Sequence, residues 1–320
     1  MSSTPAVVAL DLVKRFGDNT AVDHVSFVVP QGTVLGLLGP NGAGKTTTVR
    51  MLTTLSVPTS GTGRVAGHDV VKEPDAVRRS MGLTGQAATV DELLTGRENL
   101  RLIGRLSGLS RRYVAEATDS LLERFALSDA ANRTVKTYSG GMRRRLDLAA
   151  SLVGRPEVLF LDEPTTGLDP QARQLVWDRL YRLKQRGTTL VLTTHYMDEA
   201  EQLCDRLVVM DGGRIAAEGS PSALIHEWST REVVELRFPP GENDDAAEKV
   251  EALVADPGRP LGALVDRVEV LPDRVLLYAH DGDEASAELH RQGVTALSVL
   301  VRRSTLEDVF LRLTGRTLVD

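Results

Sequence analysis

The stretch GPNGAGKTT at residues 39–47 has the glycine-rich spacing G-x-x-x-x-G-K-[ST]. It follows an apolar run of strand length, VLGLLG, and precedes a segment whose pattern predicts a helix starting near Lys45. In that setting the main-chain N–H groups of residues 42–46 can surround a chain of phosphates, and the Lys45 ammonium can neutralise them. The Thr46 hydroxyl is a suitable ligand for Mg²⁺. The stretch therefore predicts a nucleoside triphosphate site.

Acidic residues at the end of a second apolar run, VLFLDEP, add hydrolytic chemistry. Because the carboxyl ends of parallel strands meet at one edge of a sheet, we expect Asp162 and Glu163 beside the phosphates. There Asp162 can support Mg²⁺ indirectly, through the groups that bind the ion. Glu163 can act as a general base on the attacking water. Read alone, such a pair is typical of a loop or a helix start. His195 follows another such run, TLVLTT, and is either structural or a contact to the terminal phosphate.

A second anion contact is predicted at residues 137–149, TYSGGMRRRLDLA. Ser139, Gly140 and Gly141 open a helix whose first N–H groups have no partner within the helix. The arginines at 143–145 sit poorly beside the positive end of that helix dipole. The helix start therefore indicates an anion, although the phosphate-binding stretch lies far away along the chain.

The elements that must position these residues alternate between apolar strand-like runs and helical stretches up to about residue 222. This alternation predicts an α/β fold with a parallel sheet. Its first strands, VALDLVKRF and HVSFVV, are predicted to flank the turn GDNT. Residues of about 91–150 are helical in pattern, with leucines such as Leu100 and Leu106 recurring at spacings near three and four. We interpret them as a helical subdomain within an α/β domain at 1–222.

Residues 223–320 have a different character and predict a small α+β domain. Strand-like and helical runs follow one another as strand, helix, strand, strand, helix, strand, which fits a ferredoxin-like unit. A last helix is predicted to open at Ser304, with Glu307 three residues on as its capping box partner.

Composition limits the possible partners and location. A chain of 320 residues is long enough for two domains. Its single cysteine, Cys204, excludes an internal disulfide and a cysteine-based zinc site, and we expect it to be buried. No apolar run reaches the length of a membrane helix, and the start lacks a signal peptide, which predicts a cytoplasmic protein. Residues 223–320 carry 11 basic and 19 acidic residues, and this charge argues against nucleic acid as the main partner.

Taken together and in this order, the motifs resemble those of the ATP-binding cassette (ABC) ATPases over about residues 1–222. GPNGAGKTT is similar to the Walker A motif, YSGGM to the signature, VLFLDEP to Walker B and residues 167–169 to the D-loop. Gln86 matches the Q-loop glutamine and His195 the switch histidine. In this family two ATPase domains face head to tail, with each ATP between one subunit's P-loop and the other's signature. The resemblance thus implies a homodimer, ATP with Mg²⁺, and an anion that reaches the signature in trans.

The resemblance also assigns roles to individual residues. It implies nucleotide binding by Phe16, Gly39, Asn41, Gly42, Ala43, Gly44, Lys45, Thr46, Thr47, Ser139, Gly140, Gly141 and Asp169. It implies catalysis by Glu163, His195 and Gln86, and Mg²⁺ binding by Thr46, Gln86 and Asp162. Phe16 stands where a tyrosine often stacks on adenine, and phenylalanine keeps that face, although an ordinary hairpin aromatic is the alternative. Arg145 occupies the usual arginine position, whereas Arg143 and Arg144 are either solvated or in contact with phosphate.

A closer resemblance reaches the whole chain. YSGGMRRRLDLAASL, GQAATVDELLTGRENL and STLEDVFLRLTGR are similar to the daunorubicin-resistance exporter ATPases within the ABC family. This implies an ATP-hydrolysing subunit at the inner face of the cell membrane, which works with a separate integral-membrane permease to export a drug-like, hydrophobic or lipid substrate. The alternative is a soluble ABC ATPase acting on DNA or ribosomes. Residues 223–320 are open to two interpretations, a ligand-binding regulatory module or a dimerisation and docking element.

Overall fold

The computed structural model describes residues 4–85, 90–239, 241, 243–256 and 258–315. The chain divides into two compact units, Met1–Pro221 and Ser222–Asp320. The strands of the first unit are β1 (Val7–Phe16), β2 (Asn19–Val29), β3 (Val34–Leu38), β4 (Ser60–Val65), β5 (His68–Asp69), β6 (Met81–Thr84), β7 (Val158–Asp162), β8 (Thr189–Thr194), β9 (Arg206–Asp211) and β10 (Arg214–Gly219). Its helices are α1 (Lys45–Leu52), α2 (Pro74–Ser80), α3 (Gly96–Leu106), α4 (Arg111–Arg124), α5 (Gly140–Ser151), α6 (Pro170–Gln185) and α7 (Met197–Leu203), with short 3₁₀ turns at Ser128–Ala130 and Val135–Thr137.

A six-stranded sheet of order β10-β9-β3-β8-β7-β6 forms the centre of the first unit. The strands from β9 to β6 are parallel to their neighbours, and β10 is antiparallel to β9. Strands β3, β7 and β8 are buried along their whole length, as expected of a parallel sheet covered on both faces. Their carboxyl ends, at Leu38, Asp162 and Thr194, lie at one edge of the sheet. The predicted α/β fold is confirmed.

A second, antiparallel sheet of order β2-β1-β4-β5 begins with a hairpin that is tighter than predicted. Phe16 pairs with Asn19, so that the turn consists of Gly17 and Asp18 alone. Gly17 has a φ of 57°, the left-handed conformation that such a short connection requires. Asn19 and Thr20 therefore belong to a strand and not to the predicted turn GDNT.

The predicted helical stretch contains α3, α4 and α5. Helix α3 begins with a capping box, in which Thr95 Oγ1 accepts a hydrogen bond from the Glu98 N–H (3.2 Å) and Glu98 Oε2 accepts one from the Thr95 N–H (2.8 Å). Of the leucines in the predicted pattern, Leu100 is fully buried, whereas Leu102 and Leu106 are 43% and 78% exposed. Part of this apolar face is thus open to solvent.

The second unit is a four-stranded antiparallel sheet with two principal helices. Its elements are α8 (Pro221–Trp228), β11 (Glu232–Arg237), α9 (Asn243–Val254), α10 (Pro260–Leu264), β12 (Val265–Leu271), β13 (Arg274–Ala279), α11 (Gly282–Arg291), β14 (Ser298–Arg303) and α12 (Leu306–Thr314). The strand order is β12-β13-β11-β14. Apolar residues of α9 and α11 form a core with the sheet. The predicted succession of strands and helices, with the short α10 added, produces this ferredoxin-like unit.

The capping box of α12 lies one residue further along than predicted. Thr305, not Ser304, is the N-cap, and Asp308 Oδ2 accepts a hydrogen bond from the Thr305 N–H at 2.8 Å. Asp308 is buried and also accepts hydrogen bonds from Arg302 at 2.8 and 2.9 Å. The Ser304 hydroxyl instead donates to the carbonyl oxygen of Thr230 (2.6 Å). The ion pair of Asp308 with Arg302, which the local sequence pattern does not reveal, determines which residue caps the helix.

Candidate active site

Residues 39–47 form the loop between β3 and α1, and a cavity of about 490 Å³ lies beside it. The residues that line the cavity are Asn19, Thr20, Ala21, Asn41, Gly42, Ala43, Gly44, Lys45, Thr46, Thr47, Glu163, Gly212 and Gly213. Gly44 caps α1 with a φ of 98°, and a Cβ there would lie 2.5 Å from the Ala21 carbonyl oxygen, so only glycine fits. A cavity of this size suits a small-molecule ligand. We call it the P-loop cavity.

Lys45 is 4% exposed and is held by the loop that precedes it. Its Nζ donates hydrogen bonds to the carbonyl oxygens of Gly39 (2.6 Å) and Pro40 (2.9 Å). Gly39 therefore contributes through this carbonyl and does not line the cavity. Burial lowers the pKa of Lys45, while the charges of Glu163 and Asp162 act in the opposite direction.

Asp162 joins three elements at the carboxyl edge of the sheet. Its Oδ1 accepts hydrogen bonds from the hydroxyls of Thr46 on α1 (3.0 Å) and Thr193 on β8 (2.5 Å). Within the described ranges, no group of three or more His, Cys, Asp or Glu side chains could hold a metal ion by itself. Mg²⁺, however, commonly takes one or two protein oxygens and completes its shell with water and substrate phosphates. The Thr46 and Asp162 oxygens fit that requirement.

Glu163 is oriented by an unusual backbone conformation. Its φ is 50°, and its N–H donates to both the Oγ1 (3.0 Å) and the carbonyl oxygen (3.2 Å) of Thr193. Its Oε1 lies 3.4 Å from Nδ1 of His195, and that nitrogen is buried without a hydrogen-bond partner among the residues described. A left-handed non-glycine residue at such a place is typical of strain kept for function. Glu163 thus lines the P-loop cavity with His195 beside it.

The signature residues do not line the P-loop cavity of their own chain. Ser139 caps α5, its Oγ accepting a hydrogen bond from the Met142 N–H (3.3 Å). Gly140 lines a different cavity of about 340 Å³, which Glu163 also lines. Asp169 caps α6, and its Oδ1 accepts a hydrogen bond from the Ala172 N–H at 2.8 Å.

The three arginines of α5 point in different directions. Arg145 donates to the carbonyl oxygens of Phe125 and Ala126, and Arg143 forms an ion pair with Glu92 at 3.0 Å. Arg144 extends into the protein, where it donates to four main-chain carbonyl oxygens, those of Gly85 (2.9 Å), Asp162 (3.1 Å), Glu163 (2.8 Å) and Pro164 (2.8 Å). The interpretation of Arg144 as a solvated residue was therefore wrong, and its contact with phosphate stays a prediction from the sequence.

Some cavity residues had no recognised signal in the sequence. The strand residues 19–21 and the turn of Gly212 and Gly213 line the P-loop cavity only because distant segments fold beside it. The Gly-Gly pair directly after an apolar strand could have been recognised as a tight turn at the ligand edge. Phe16 is 55% exposed at the hairpin end, next to Asn19 but outside the cavity lining. Gln86 lies outside the described residues.

Comparison with known proteins agrees with this geometry. Residues 22–166 match the ABC transporter family, and residues 251–315 match the family described as nodulation factor export protein NodI, C-terminal domain. Two solved structures share the cassette fold with TM-scores of 0.64: an ATP-binding subunit of an ABC transporter (29% identity, 70% of this chain and 93% of that one) and the ADP conformation of an ATP-binding cassette (28% identity, 71% and 95%). The chain belongs to the ABC transporter family, whose ATP-binding cassettes bind nucleotide.

Among full-length relatives, the daunorubicin/doxorubicin resistance ATP-binding protein of Streptomyces peucetius is 48% identical over 99% of this chain and 94% of its own length. The doxorubicin resistance ATP-binding protein of Mycobacterium tuberculosis H37Rv is 44% identical over 97% and 93%. The Nod factor export ATP-binding protein I of Rhizobium sp. N33 is 46% identical over 97% and 98%. The chain is thus the ATP-hydrolysing subunit of an ABC exporter, and nothing supports the alternative of a soluble ATPase acting on DNA or ribosomes.

Proposed function

We propose that Glu163 is the general base of ATP hydrolysis in this exporter subunit and that His195 assists it. The observation that carries the proposal is the position of Glu163, which lines the P-loop cavity with Oε1 3.4 Å from His195 Nδ1. A carboxylate there can accept the proton of the water that attacks the terminal phosphate, a contribution of about 10²- to 10⁴-fold in rate. The other ring nitrogen of His195 is then available to the terminal phosphate.

Lys45 and the main-chain N–H groups of residues 42–46 bind the β- and γ-phosphates in this proposal. Lys45 Nζ donates to the neutral carbonyl oxygens of Gly39 and Pro40. Phosphate oxygens are charged and are stronger acceptors, so the ammonium exchanges one or both of these partners when ATP binds. Phe16, exposed at the hairpin end, supplies an aromatic face for the adenine.

Mg²⁺ fits beside Thr46 and Asp162, where it would neutralise charge on the β- and γ-phosphates. The Thr46 hydroxyl is the expected direct ligand. Asp162 already accepts hydrogen bonds from Thr46 and Thr193, which supports a role in holding the Thr46 oxygen and water in place. A contribution from Gln86 stays a prediction from the sequence.

A second copy of the chain completes the site. Ser139, Gly140 and Gly141 stand at the start of α5, where N–H groups and the helix dipole favour an anion, yet they do not line the P-loop cavity of their own chain. In a head-to-tail homodimer they reach the phosphates held by the partner's P-loop, and Asp169 belongs to the same contact region. Each ATP is then bound between two copies.

The dimer drives a separate integral-membrane permease from the cytoplasmic face of the membrane. Among the described residues no helix is long and apolar enough to cross a membrane. Leu93, Leu102 and Leu106 are exposed in and before α3, and they offer an apolar surface to such a partner. The names of the relatives support a drug-like, hydrophobic or lipid substrate, since they refer to daunorubicin/doxorubicin resistance and Nod factor export.

Glu163→Gln tests the hydrolytic role directly. In purified protein we expect ATP turnover to fall by about a hundredfold or more, because glutamine cannot accept the proton, while ATP affinity is retained. Glu248→Gln, at an exposed position of α9, is the matched control and leaves turnover unchanged. Turnover of Glu163→Gln at the wild-type rate would refute the assignment.

The permease is tested by purifying tagged Glu163→Gln protein from native membranes in detergent and ATP. Mass spectrometry is expected to identify a stoichiometric polytopic membrane protein. Recovery with soluble companions alone would contradict the transporter assembly.

A further inference from the structure

Five arginines from three segments of the first unit converge on one region, which we call the arginine cluster: Arg124, Arg155, Arg179, Arg182 and Arg186. Arg124 ends α4, and Arg155 follows α5. The other three lie at spacings of three and four along α6 and its C-cap, and so share one face of that helix.

The cluster surrounds neighbouring cavities that share Arg124. The largest has a volume of about 460 Å³, and its lining includes Arg124, Arg155 and Arg186 together with the apolar side chains of Leu152 and Leu183. An adjoining cavity is lined by Arg124, Arg179, Arg182 and Arg186. A concave site with apolar walls and a few convergent charged groups is typical of small-ligand pockets.

This region lies at the opposite edge of the sheet from the P-loop cavity. Glu157 and Thr188 line the larger cavity and directly precede β7 and β8. The arginine cluster lies at the start of these strands, and the P-loop cavity lies at their ends, at Asp162 and Thr194. The two regions are therefore separated by the length of a strand, which rises about 3.3 Å per residue. The arginine cluster is therefore not part of the ATP site.

The protein balances only part of the positive charge of the cluster. In the part of the chain that the structure describes, none of the five guanidinium groups makes an ion pair or donates a hydrogen bond to a protein group; Arg155 stacks on the Tyr113 ring, with Cζ 5.3 Å from its centroid. Burial and the charges of Arg186, Arg179 and Arg155 lower the pKa of Arg124. Glu157 supplies one carboxylate to the larger cavity, against three arginines, and Glu116 lines a third cavity together with Arg124 and Arg155.

Helix capping accounts for only part of this arrangement. Cations are favourable at helix C-termini, which explains Arg124 at the end of α4 and Arg186 at the C-cap of α6. It does not explain why Arg155, in a left-handed conformation with a φ of 50°, stands beside them, or why Arg179 approaches from within α6. Arg124 and Arg179 are half-buried, whereas the other three arginines of the cluster are exposed. Like charges gathered around shared cavities repel one another, and a bound anion would relieve that repulsion.

We infer that the arginine cluster is a second anion site, which binds a small ligand carrying two or more phosphate groups. Guanidinium groups match phosphate oxygens with paired hydrogen bonds, and several arginines require a ligand with several negative charges. The same chemistry is offered by a soluble polyphosphate and by the headgroup of a diphosphate lipid. The inference does not depend on the catalytic roles proposed above.

The first test is calorimetric titration of inorganic tripolyphosphate into protein saturated with ADP, which keeps the P-loop cavity occupied. The wild type is compared with Arg124→Gln/Arg186→Gln and with Arg78→Gln/Arg79→Gln. The second pair removes the same charge from exposed arginines of α2. ADP affinity, measured for each variant, reports whether the fold and the P-loop cavity are intact.

We expect tripolyphosphate to bind the wild type and the α2 variant alike, and to bind Arg124→Gln/Arg186→Gln at least about tenfold more weakly, because charge-assisted hydrogen bonds to phosphate are lost. No binding to the ADP-saturated wild type would overturn the inference. So would equal weakening in both double variants, since that indicates general charge attraction.

Sedimentation with phosphatidylcholine vesicles, with and without cardiolipin, then distinguishes the two sources of phosphate. Cardiolipin-dependent binding that requires Arg124 and Arg186 supports the site and assigns it to a lipid headgroup. Tripolyphosphate binding without vesicle binding supports the site and assigns it to a soluble ligand.

Discussion

Arg144 on α5 donates a hydrogen bond of 2.8 Å from Nη2 to the main-chain carbonyl oxygen of Glu163. The same guanidinium also holds the carbonyl oxygens of Asp162 and Pro164 on either side, and that of Gly85. Glu163 has a left-handed backbone conformation, which persists only where its surroundings enforce it. Arg144 therefore acts as a positioning residue, which connects α5 to the segment that carries the proposed base.

The first prediction concerns this connection. Arg144→Met is expected to lower kcat for ATP by about tenfold to a hundredfold, since small displacements of a catalytic group are costly, with KM little changed. Arg144→Lys should not restore kcat, because an ammonium cannot reproduce the planar set of donors. Steady-state ATPase kinetics provide the measurement. Arg143→Met is the control, because it breaks the pair with Glu92 and a hydrogen bond to the Lys136 carbonyl oxygen but no contact with the segment of Glu163. Equal kcat in the two methionine variants would contradict the positioning role.

The second prediction concerns the dimer. Lys45→Ala removes the cation of the P-loop, and Gly141→Asp places a negative charge at the signature, so each variant alone is expected to be inactive. In an equal mixture that exchanges subunits, each mixed dimer retains one site with an intact P-loop and an intact signature. About a quarter of wild-type ATPase activity should return if the sites act independently. Mixing either variant with itself is the control, and a mixture that stays inactive despite subunit exchange would argue against sites shared between copies.

The third prediction concerns the contact between Tyr138 of the signature and Gly96. Tyr138 is buried, its hydroxyl donates to the Ala130 carbonyl oxygen at 2.7 Å, and a Cβ on Gly96 would collide with that hydroxyl. Gly96→Ala should therefore reduce the free energy of unfolding by about 1–3 kcal/mol, the usual cost of overpacking. Tyr138→Phe removes the colliding oxygen, so the double variant should be more stable than the sum of the single changes predicts, by about 1 kcal/mol. Urea denaturation of all four proteins measures this coupling, and simple additivity would show that the two residues do not meet.

The fourth prediction concerns acid stability of the second unit. Burial alone would raise the pKa of Asp308, but hydrogen bonds from Arg302 and the Thr305 main chain outweigh it, and the net pKa lies below the usual value. A carboxyl with a lowered folded-state pKa stabilises the fold above its unfolded pKa of about 4 and loses that contribution as pH falls through the folded value. Asp308→Asn should therefore cost about 2 kcal/mol near neutral pH, and the difference from the wild type should shrink in acid.

Thermal unfolding between neutral pH and pH values below about 4 measures this difference. Glu307→Gln is the control, because Glu307 is the exposed residue that the sequence pattern assigned to the capping box. A larger loss of stability in Glu307→Gln than in Asp308→Asn would restore the register predicted from sequence.

Much of the fold followed from local spacing. Continuous apolar runs of strand length, separated by helical periods, predicted β3, β7 and β8, because a strand buried on both faces has no polar side to show. The start of α1 at Lys45 followed from the glycine-rich loop before it. The N-cap of α12 was predicted one residue too early, because Ser304 and Thr305 are adjacent and either could cap the helix. Only the pair of Asp308 with Arg302 selects the threonine.

The sequence by itself determined the chemistry of the ATP site, because the phosphate-binding loop and the strand-end carboxylates depend on residues that are neighbours along the chain. Tertiary structure alone decided which distant groups contact the phosphate-binding loop and the strand-end carboxylates. Thr193 meets Asp162 and the Glu163 main chain only because β8 lies beside β7. Arg144 is an internal support because the fold brings four carbonyl oxygens within reach of one guanidinium, and the arginine cluster exists because α4, α6 and the segment after α5 end near one another. Such contacts join residues far apart in sequence, and local spacing carries no information about them.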